Sequence, residues 1–215
     1  MQVDFQKRPL FPLATVEDVE AVLDLASALV EGGVPTLEVA FRSELAGEAI
    51  SRLAESGPKI LVGAGTVRTV DQVAEAVEAG AQFVVSPGLN ARVVEACGER
   101  GVPAIPGVDS TLGIEQAVEL GLSVLKFFPA DVAGGIRWLR AMAGPYADLE
   151  FVPTGGINLD NLASYFSLPN VVAVGGSFLA PAAAIRERRF AEVTAACRAA
   201  VDVVQVVRGS GGEAK

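Results

Sequence analysis

The chain contains no histidine. That absence removes Ser-His-Asp and Cys-His nucleophilic arrangements, histidine metal ligation and imidazole acid–base catalysis together. Cysteine is almost as scarce: Cys97 and Cys197 are the only two, both in segments with helical patterning. They show neither metal-ligand spacing nor a disulfide framework. Positive charge is also short, with 17 Lys+Arg against 26 Asp+Glu and a formal net charge of −9. Such a surface is repelled by nucleic acid and by anionic membranes, so neither is expected as a partner. Any anionic ligand has to be held by a local site. No apolar run approaches the ~20 residues that span a bilayer. The opening Met1-Gln2-Val3-Asp4-Phe5 lacks the regions of a signal peptide, and the expectation is a cytoplasmic protein. Chemistry is left to Lys, Glu, Asp, Arg, Thr, Ser and Tyr.

What the chain does have is 51% hydrophobic residues over 215 positions, enough for one well-buried core. Short apolar, β-branched runs alternate with longer amphipathic stretches, the pattern of βα units around a parallel sheet. Eight strands are expected, at Pro9–Ala14, Pro35–Phe41, Ile60–Gly63, Phe83–Val85, Pro103–Ile105, Val124–Phe128, Phe151–Pro153 and Val171–Val174. Helical patterns follow at Glu17–Val30, Glu44–Glu55, Val70–Ala79, Ala91–Arg100, Leu112–Leu120, Ile136–Met142, Leu159–Phe166 and Phe190–Val207. Gly32, Gly80, Gly101 and Gly121 sit where left-handed C-terminal caps are wanted. The fold class is α/β, a (β/α)8 TIM barrel, compact against the usual ~250 residues. An open doubly wound sheet fits less well, because the glycines cluster after the last two strands and not in a dinucleotide fingerprint after the first. Residues 1–208 are read as a single domain and 209–215 as a flexible tail.

In a TIM barrel the reacting groups lie at the C-terminal ends of the strands. Of four lysines, only Lys126, in Val124-Leu125-Lys126-Phe127-Phe128-Pro129, sits within an apolar strand near that end. Burying an ammonium there costs several kcal/mol unless it is paired or neutralised. A free lysine is only ~0.04% neutral at pH 7, and burial or a nearby cation raises the nucleophilic fraction. A structural ion pair is the bland reading; a Schiff-base nucleophile is the one the position favours. In Leu37-Glu38-Val39-Ala40-Phe41-Arg42, alternation places Glu38, Ala40 and Arg42 on one face, which must be the barrel interior. Interior layers draw on alternate strands, so Glu38 on the second and Lys126 on the sixth can face one another, a pairing suited to proton transfer. The bland reading is that Glu38 neutralises Lys126 or Arg42, and the two roles are compatible. Arg42, at the mouth, suits a substrate carboxylate. Phe128 shares parity with Lys126 and can wall it.

Two glycine runs, Thr154-Gly155-Gly156-Ile157 after the seventh strand and Gly175-Gly176-Ser177 after the eighth, fall where TIM barrels recurrently bind phosphate through backbone N–H groups. Backbone dipoles there reconcile an anionic ligand with an acidic chain. Weaker candidates at the mouth are Thr66, ending Gly63-Ala64-Gly65-Thr66, and Pro87 in Ser86-Pro87-Gly88. Asp109 and Ser110 are read as surface residues.

Taken together these motifs, with Gly32-Gly33, Gly80-Ala81-Gln82-Phe83, Pro106-Gly107, Lys126-Phe127-Phe128-Pro129-Ala130 and Ala143-Gly144-Pro145, resemble the 2-keto-3-deoxy-6-phosphogluconate (KDPG)/4-hydroxy-2-oxoglutarate (KHG) aldolase family from about Pro9 to Pro181. The resemblance implies Lys126 as the Schiff-base lysine and Glu38 as general acid/base. It implies Arg42, Thr66 and Pro87 around a pyruvate moiety, with Gly155, Gly156 and Ser177 at a phosphate. It further implies a phosphorylated keto acid substrate, no cofactor, no metal and a homotrimer. Some positions depart from the family pattern: Val39-Ala40-Phe41-Arg42 stands where many members carry Val-Thr-Leu-Arg, and Val108-Asp109-Ser110-Thr111-Leu112 replaces a commoner Ser/Ala-Thr-Pro pattern. These touch substrate preference. Thr154 is closer to the gluconate-type than to the galactonate-type enzymes. The competing readings are a 2-keto-3-deoxy-6-phosphogalactonate aldolase, a phosphosugar isomerase or epimerase barrel, and a non-catalytic phosphometabolite-binding barrel.

Overall fold

The structure is a computed structural model that describes residues 3–210. Its strands are β1 (Leu10–Ala14), β2 (Thr36–Ala40), β3 (Leu61–Gly65), β4 (Val84–Ser86), β5 (Ala104–Val108), β6 (Val124–Phe127), β7 (Glu150–Pro153) and β8 (Val174–Gly176). The helices are α1 (Val22–Glu31), α2 (Ala46–Ser56), α3 (Val70–Glu78), α4 (Ala91–Glu99), α5 (Thr111–Glu119), α6 (Gly135–Met142), α7 (Leu159–Phe166), α8 (Ala182–Arg186) and α9 (Phe190–Ser210). All strand pairs are parallel, in the order β7-β6-β5-β4-β3-β2-β1-β8. Two isolated bridges, Phe151↔Val171 and Thr154↔Gly175, close β7 onto β8 and complete the barrel. The expected (β/α)8 architecture is the one observed.

Several boundaries differ from the sequence reading. β4 begins one residue later than expected, and β3 and β5 run further toward the mouth, to Gly65 and Val108. The largest correction is β8, expected at Val171–Val174 but found at Val174–Gly176. Gly175 and Gly176 are therefore strand residues, and a short 3-10 turn, Ser177–Leu179, follows directly. Glycine reads as a strand breaker in isolation, whereas here the ladder to β1 through Phe11↔Gly175 and Pro12↔Gly176 imposes extended backbone. The short α8 was not anticipated. Helix α9 continues through Ser210, past the expected tail boundary; residues 211–215 of that tail lie outside the described residues.

The caps mostly follow the sequence. Gly80, Gly101 and Gly121 adopt positive φ of 99°, 68° and 75°. After α1 the left-handed position belongs to Gly33 (φ 81°), not to Gly32 (φ −73°). Gly32 is needed for another reason: a Cβ there would lie 2.4 Å from Cys197 Cβ, so its bareness lets the end of α1 close against α9. Thr69, Asn90, Ser110 and Asn158 each accept an amide hydrogen bond at the start of α3, α4, α5 and α7. That accounts for Ser110 on the surface.

The apolar residues divide by strand parity into two cores. Outward residues such as Leu37, Val39, Ala64, Val84, Leu125 and Phe127 pack against the helix ring. Phe127, for example, stacks on Trp138 of α6 with ring centroids 4.2 Å apart. Inward residues Phe11, Leu61, Phe83, Val85, Ile105 and Val152 fill the lower barrel, closed below by Val3 and Phe5. Phe11 meets Phe83 edge-on and Phe5 at a tilt, with centroids 5.4 and 5.5 Å apart. Each such burial contributes about 1.5–3 kcal/mol. The apolar lower half leaves Glu38 and Lys126 as charges of the upper half.

Candidate active site

Above that apolar plug the interior carries two charges. Lys126 on β6 is 5% exposed and Glu38 on β2 is 2% exposed. Lys126 Nζ donates to Glu38 Oε1 at 3.4 Å. The inward parity of both residues, fixed by the ladders Leu13↔Glu38↔Gly63 and Gly107↔Lys126↔Val152, sets them face to face across the barrel. The ammonium also lies 5.3 Å from the centre of the Phe128 ring, whose π-face favours a cation. Desolvating two ions costs several kcal/mol each, repaid only by good geometry. A distance at the long end of hydrogen bonding recovers only part of that cost.

Room for these groups comes from four inward-facing glycines, each hollow occupied by a neighbour. A Cβ on Gly63 would meet the Phe83 ring at 2.3 Å, and one on Gly65 would meet Glu38 Oε1 at 2.2 Å. On Gly107 it would meet the Pro87 carbonyl oxygen at 2.2 Å, and on Gly175 the Thr154 hydroxyl oxygen at 2.4 Å. The sequence reading placed Gly63 at the end of the third strand and Gly175 in a glycine run after the eighth, and gave Gly65 and Gly107 no role in making space. The recoverable signal was parity: a glycine at an inward position beside a charged residue marks space, not a bend. Thr66, directly after Gly65, has φ 59°. A β-branched residue in this left-handed region stores about 1–3 kcal/mol and points to a functional constraint.

Beside the ion pair opens a cavity of about 370 Å³. It brings Arg42, Phe128, Thr154, Gly155, Gly156, Gly176 and Ser177 together. Lys126, Glu38, Thr66, Pro87 and Gly175 do not line it; Phe128 is the wall it shares with the buried amine. Arg42 is exposed, and its guanidinium has no hydrogen-bond or ion-pair partner among the described residues. Gly155 and Gly156 take positive φ of 98° and 79°. The Gly155 carbonyl accepts from Asp131 N at 3.1 Å, and the Thr154 carbonyl from Ala130 N at 2.9 Å, which pins the rim to the loop after β6. Among the described residues the amide of Gly156 donates to no backbone or side-chain acceptor. A free amide and an unpaired arginine around one concavity can receive an anion. Leu13, Thr15, Ile157, Ala180 and Ala182 complete the lining and were not anticipated. Thr15, one residue beyond β1, was findable from the rule that places sites at strand C-termini.

The remaining titratable features stand apart from this site. Burial pushes the Cys97 thiol up to about 11 and the Cys197 thiol up to about 12, so both free thiols stay protonated and inert at neutral pH. Among the described residues no cluster of three or more carboxylates and cysteines is placed to hold a metal ion, and no helix is long and apolar enough to cross a membrane.

A parallel eight-stranded barrel with a lysine and a glutamate paired inside it, below an anion-receptive rim, has the equipment of the Schiff-base aldolase class. The family model described as KDPG and KHG aldolase matches residues 2–197, and the chain belongs to that family. It is 48% identical over 198 residues to the 2-dehydro-3-deoxy-phosphogluconate aldolase of Treponema pallidum, covering 92% of this chain and 94% of that protein. It is 42% identical over 194 residues to the KHG/KDPG aldolase of Escherichia coli K12, covering 90% and 91%. Among solved structures, the KDPG aldolase from Legionella pneumophila, with pyruvate captured at low pH as a covalent carbinolamine intermediate, matches with a TM-score of 0.88. That match is 40% identical and covers 91% of this chain and 95% of the other.

Proposed function

We propose that the protein is a metal-independent class I aldolase that reversibly cleaves 2-keto-3-deoxy-6-phosphogluconate to pyruvate and glyceraldehyde 3-phosphate. The observation that carries this is the buried Lys126–Glu38 pair. The Lys126 amine adds to the C2 carbonyl to give a carbinolamine, and loss of water gives a protonated imine. Glu38 takes the C4 hydroxyl proton as the C3–C4 electron pair flows into the imine, which releases the aldehyde and leaves an enamine. Glu38 returns a proton to C3, and water frees pyruvate from Lys126. The imine is the electron sink, so the route requires no metal. The carbinolamine with pyruvate in the Legionella relative supports the first step. An isomerase or epimerase has no use for a lysine at the carbonyl, and the family assignment does not favour either, nor a non-catalytic barrel.

The cavity supplies the other two contacts. Arg42 binds the substrate carboxylate with Thr66 and Pro87 at the same end, while Thr154, Gly155, Gly156, Gly176 and Ser177 receive the phosphate. Turnover of the phosphorylated substrate and of 4-hydroxy-2-oxoglutarate, each measured with a chelator present, tests both the reaction and this division. Wild-type protein is expected to release pyruvate from the phosphorylated substrate at an undiminished rate under chelation. Ser177→Asp, which sets a carboxylate against the phosphate, should lower kcat/KM for that substrate about 100-fold or more, and for the unphosphorylated one less than about threefold. Equal loss on both substrates would remove Ser177 from the phosphate site.

We assign a homotrimer as the assembly and the cytoplasm, where both free thiols stay reduced, as its setting. Leu112 and Val132, 67% and 85% exposed on the segments after the adjacent strands β5 and β6, offer apolar surface for contact between copies. Sedimentation equilibrium should return three times the chain mass; a monomer at micromolar concentration would count against the assignment.

A further inference from the structure

Gly65 has no functional group, yet its bare position determines where the Glu38 carboxylate can stand. A Cβ on Gly65 would fall 2.2 Å from Glu38 Oε1, 2.6 Å from Cγ and 2.8 Å from Cδ, all closer than real Cβ atoms approach. Oε1 is the oxygen that receives the Lys126 hydrogen bond at 3.4 Å. Two escapes are closed. Glu38 is 2% exposed and cannot swing into solvent, and the neighbouring hollow at Gly63, its partner in register, is filled by the Phe83 ring. Nor can β3 retreat easily, because the Gly65 carbonyl accepts from Phe41 N at 2.7 Å and Val67 N donates to Val85 O at 3.1 Å.

We propose that Gly65 is a positioning residue: the space where its side chain would be is the slot that holds Glu38 Oε1 against Lys126 and so sets the proton-transfer geometry. This rests on Glu38 as the proton carrier assigned above. A methyl in the slot forces the carboxylate to rotate or withdraw by about an ångström while leaving every polar group present, and displacements of that size cost on the order of 100-fold in rate.

The measurement is exchange of the pyruvate methyl protons in D2O, followed by NMR. It needs only the imine and the base, and so is independent of the phosphate rim. Borohydride trapping with pyruvate reports imine formation separately. Gly65→Ala is expected to slow exchange about 100-fold with the trapped adduct still on Lys126 and half-saturation by pyruvate little changed. In a Glu38→Asp background, where the carboxylate is one methylene shorter and the slot is vacant, Gly65→Ala should cost no more than about threefold. If Gly65→Ala alone does not fold, the second comparison still decides. A double variant that folds and matches Glu38→Asp supports the slot, and one that also fails to fold overturns it. Equal losses in both backgrounds show that Gly65 acts through something other than Glu38 and end the proposal. Wild-type exchange in Gly65→Ala, with exchange lost in Glu38→Gln, ends it while leaving the base in place. Wild-type exchange in Glu38→Gln removes the base assignment, and this role of Gly65 with it.

Discussion

Replacing Lys126 with methionine is expected to abolish the pyruvate adduct trapped by borohydride and to lower turnover by about four to six orders of magnitude, the scale seen when a covalent nucleophile is lost. Methionine keeps the volume and apolar stem, so the packing against Phe128 and β5 survives. It removes the counter-charge from Glu38, a carboxylate 2% exposed. Stranding one member of a buried pair costs about 3–5 kcal/mol unless the carboxyl takes up a proton. Loss of activity alone is therefore ambiguous, because an unfolded protein is inactive too. The combination Lys126→Met/Glu38→Gln separates the causes: with no charge left to strand, thermal stability should return while the adduct stays absent. An adduct that persists at another lysine would transfer the chemistry away from Lys126 altogether. Lys7 and Lys59 are exposed, far less suited to excluding water from an imine.

The second large effect is at Glu38. Glu38→Gln keeps shape and a hydrogen-bonding oxygen near Lys126 but cannot carry a proton, so kcat should fall about 10²–10⁴-fold, the usual worth of a positioned acid/base. The adduct with pyruvate should still form at Lys126, more slowly. This split, imine retained and proton transfer lost, distinguishes a proton carrier from a mere counter-ion. If Glu38 served only to balance charge, the glutamine variant would lose stability more than it lost turnover.

Much of this site could be read from parity alone. Glu38 lies on the inward face of the five-residue β2, with Arg42 two residues past its end, and a lone lysine on the sixth strand has few reasons to be inside a barrel. The rule that alternate strands supply one interior layer then places the pair. The parts that could not be read depend on neighbours. Gly175 and Gly176 look like a turn until β1 supplies the ladder that makes them strand. Gly63, Gly65 and Gly107 look permissive until Phe83, Glu38 and the Pro87 carbonyl are seen to occupy their hollows. A side chain that fills another residue's vacancy leaves no local trace in sequence. The cavity wall at Leu13, Thr15 and Ala182 is assembled from both ends of the chain, and only closure of the sheet shows that they meet.

That closure joins the chain's beginning to its end. β1 has β8 as its outer neighbour, Thr194 Oγ1 donates to Ala28 O at 3.1 Å, and Arg208 Nη1 donates to Gln6 O at 2.9 Å. Synthesis proceeds from the N-terminus, so the outer edge of β1 waits unpaired until the last strand leaves the ribosome. Long-range parallel pairing is slow, and open edges invite association with other chains. Until the ring shuts, nothing holds Glu38 on the second strand opposite Lys126 on the sixth. The nascent polypeptide thus carries Lys126 for a time without the partner proposed to work with it, and the two are set opposite each other only as the barrel closes.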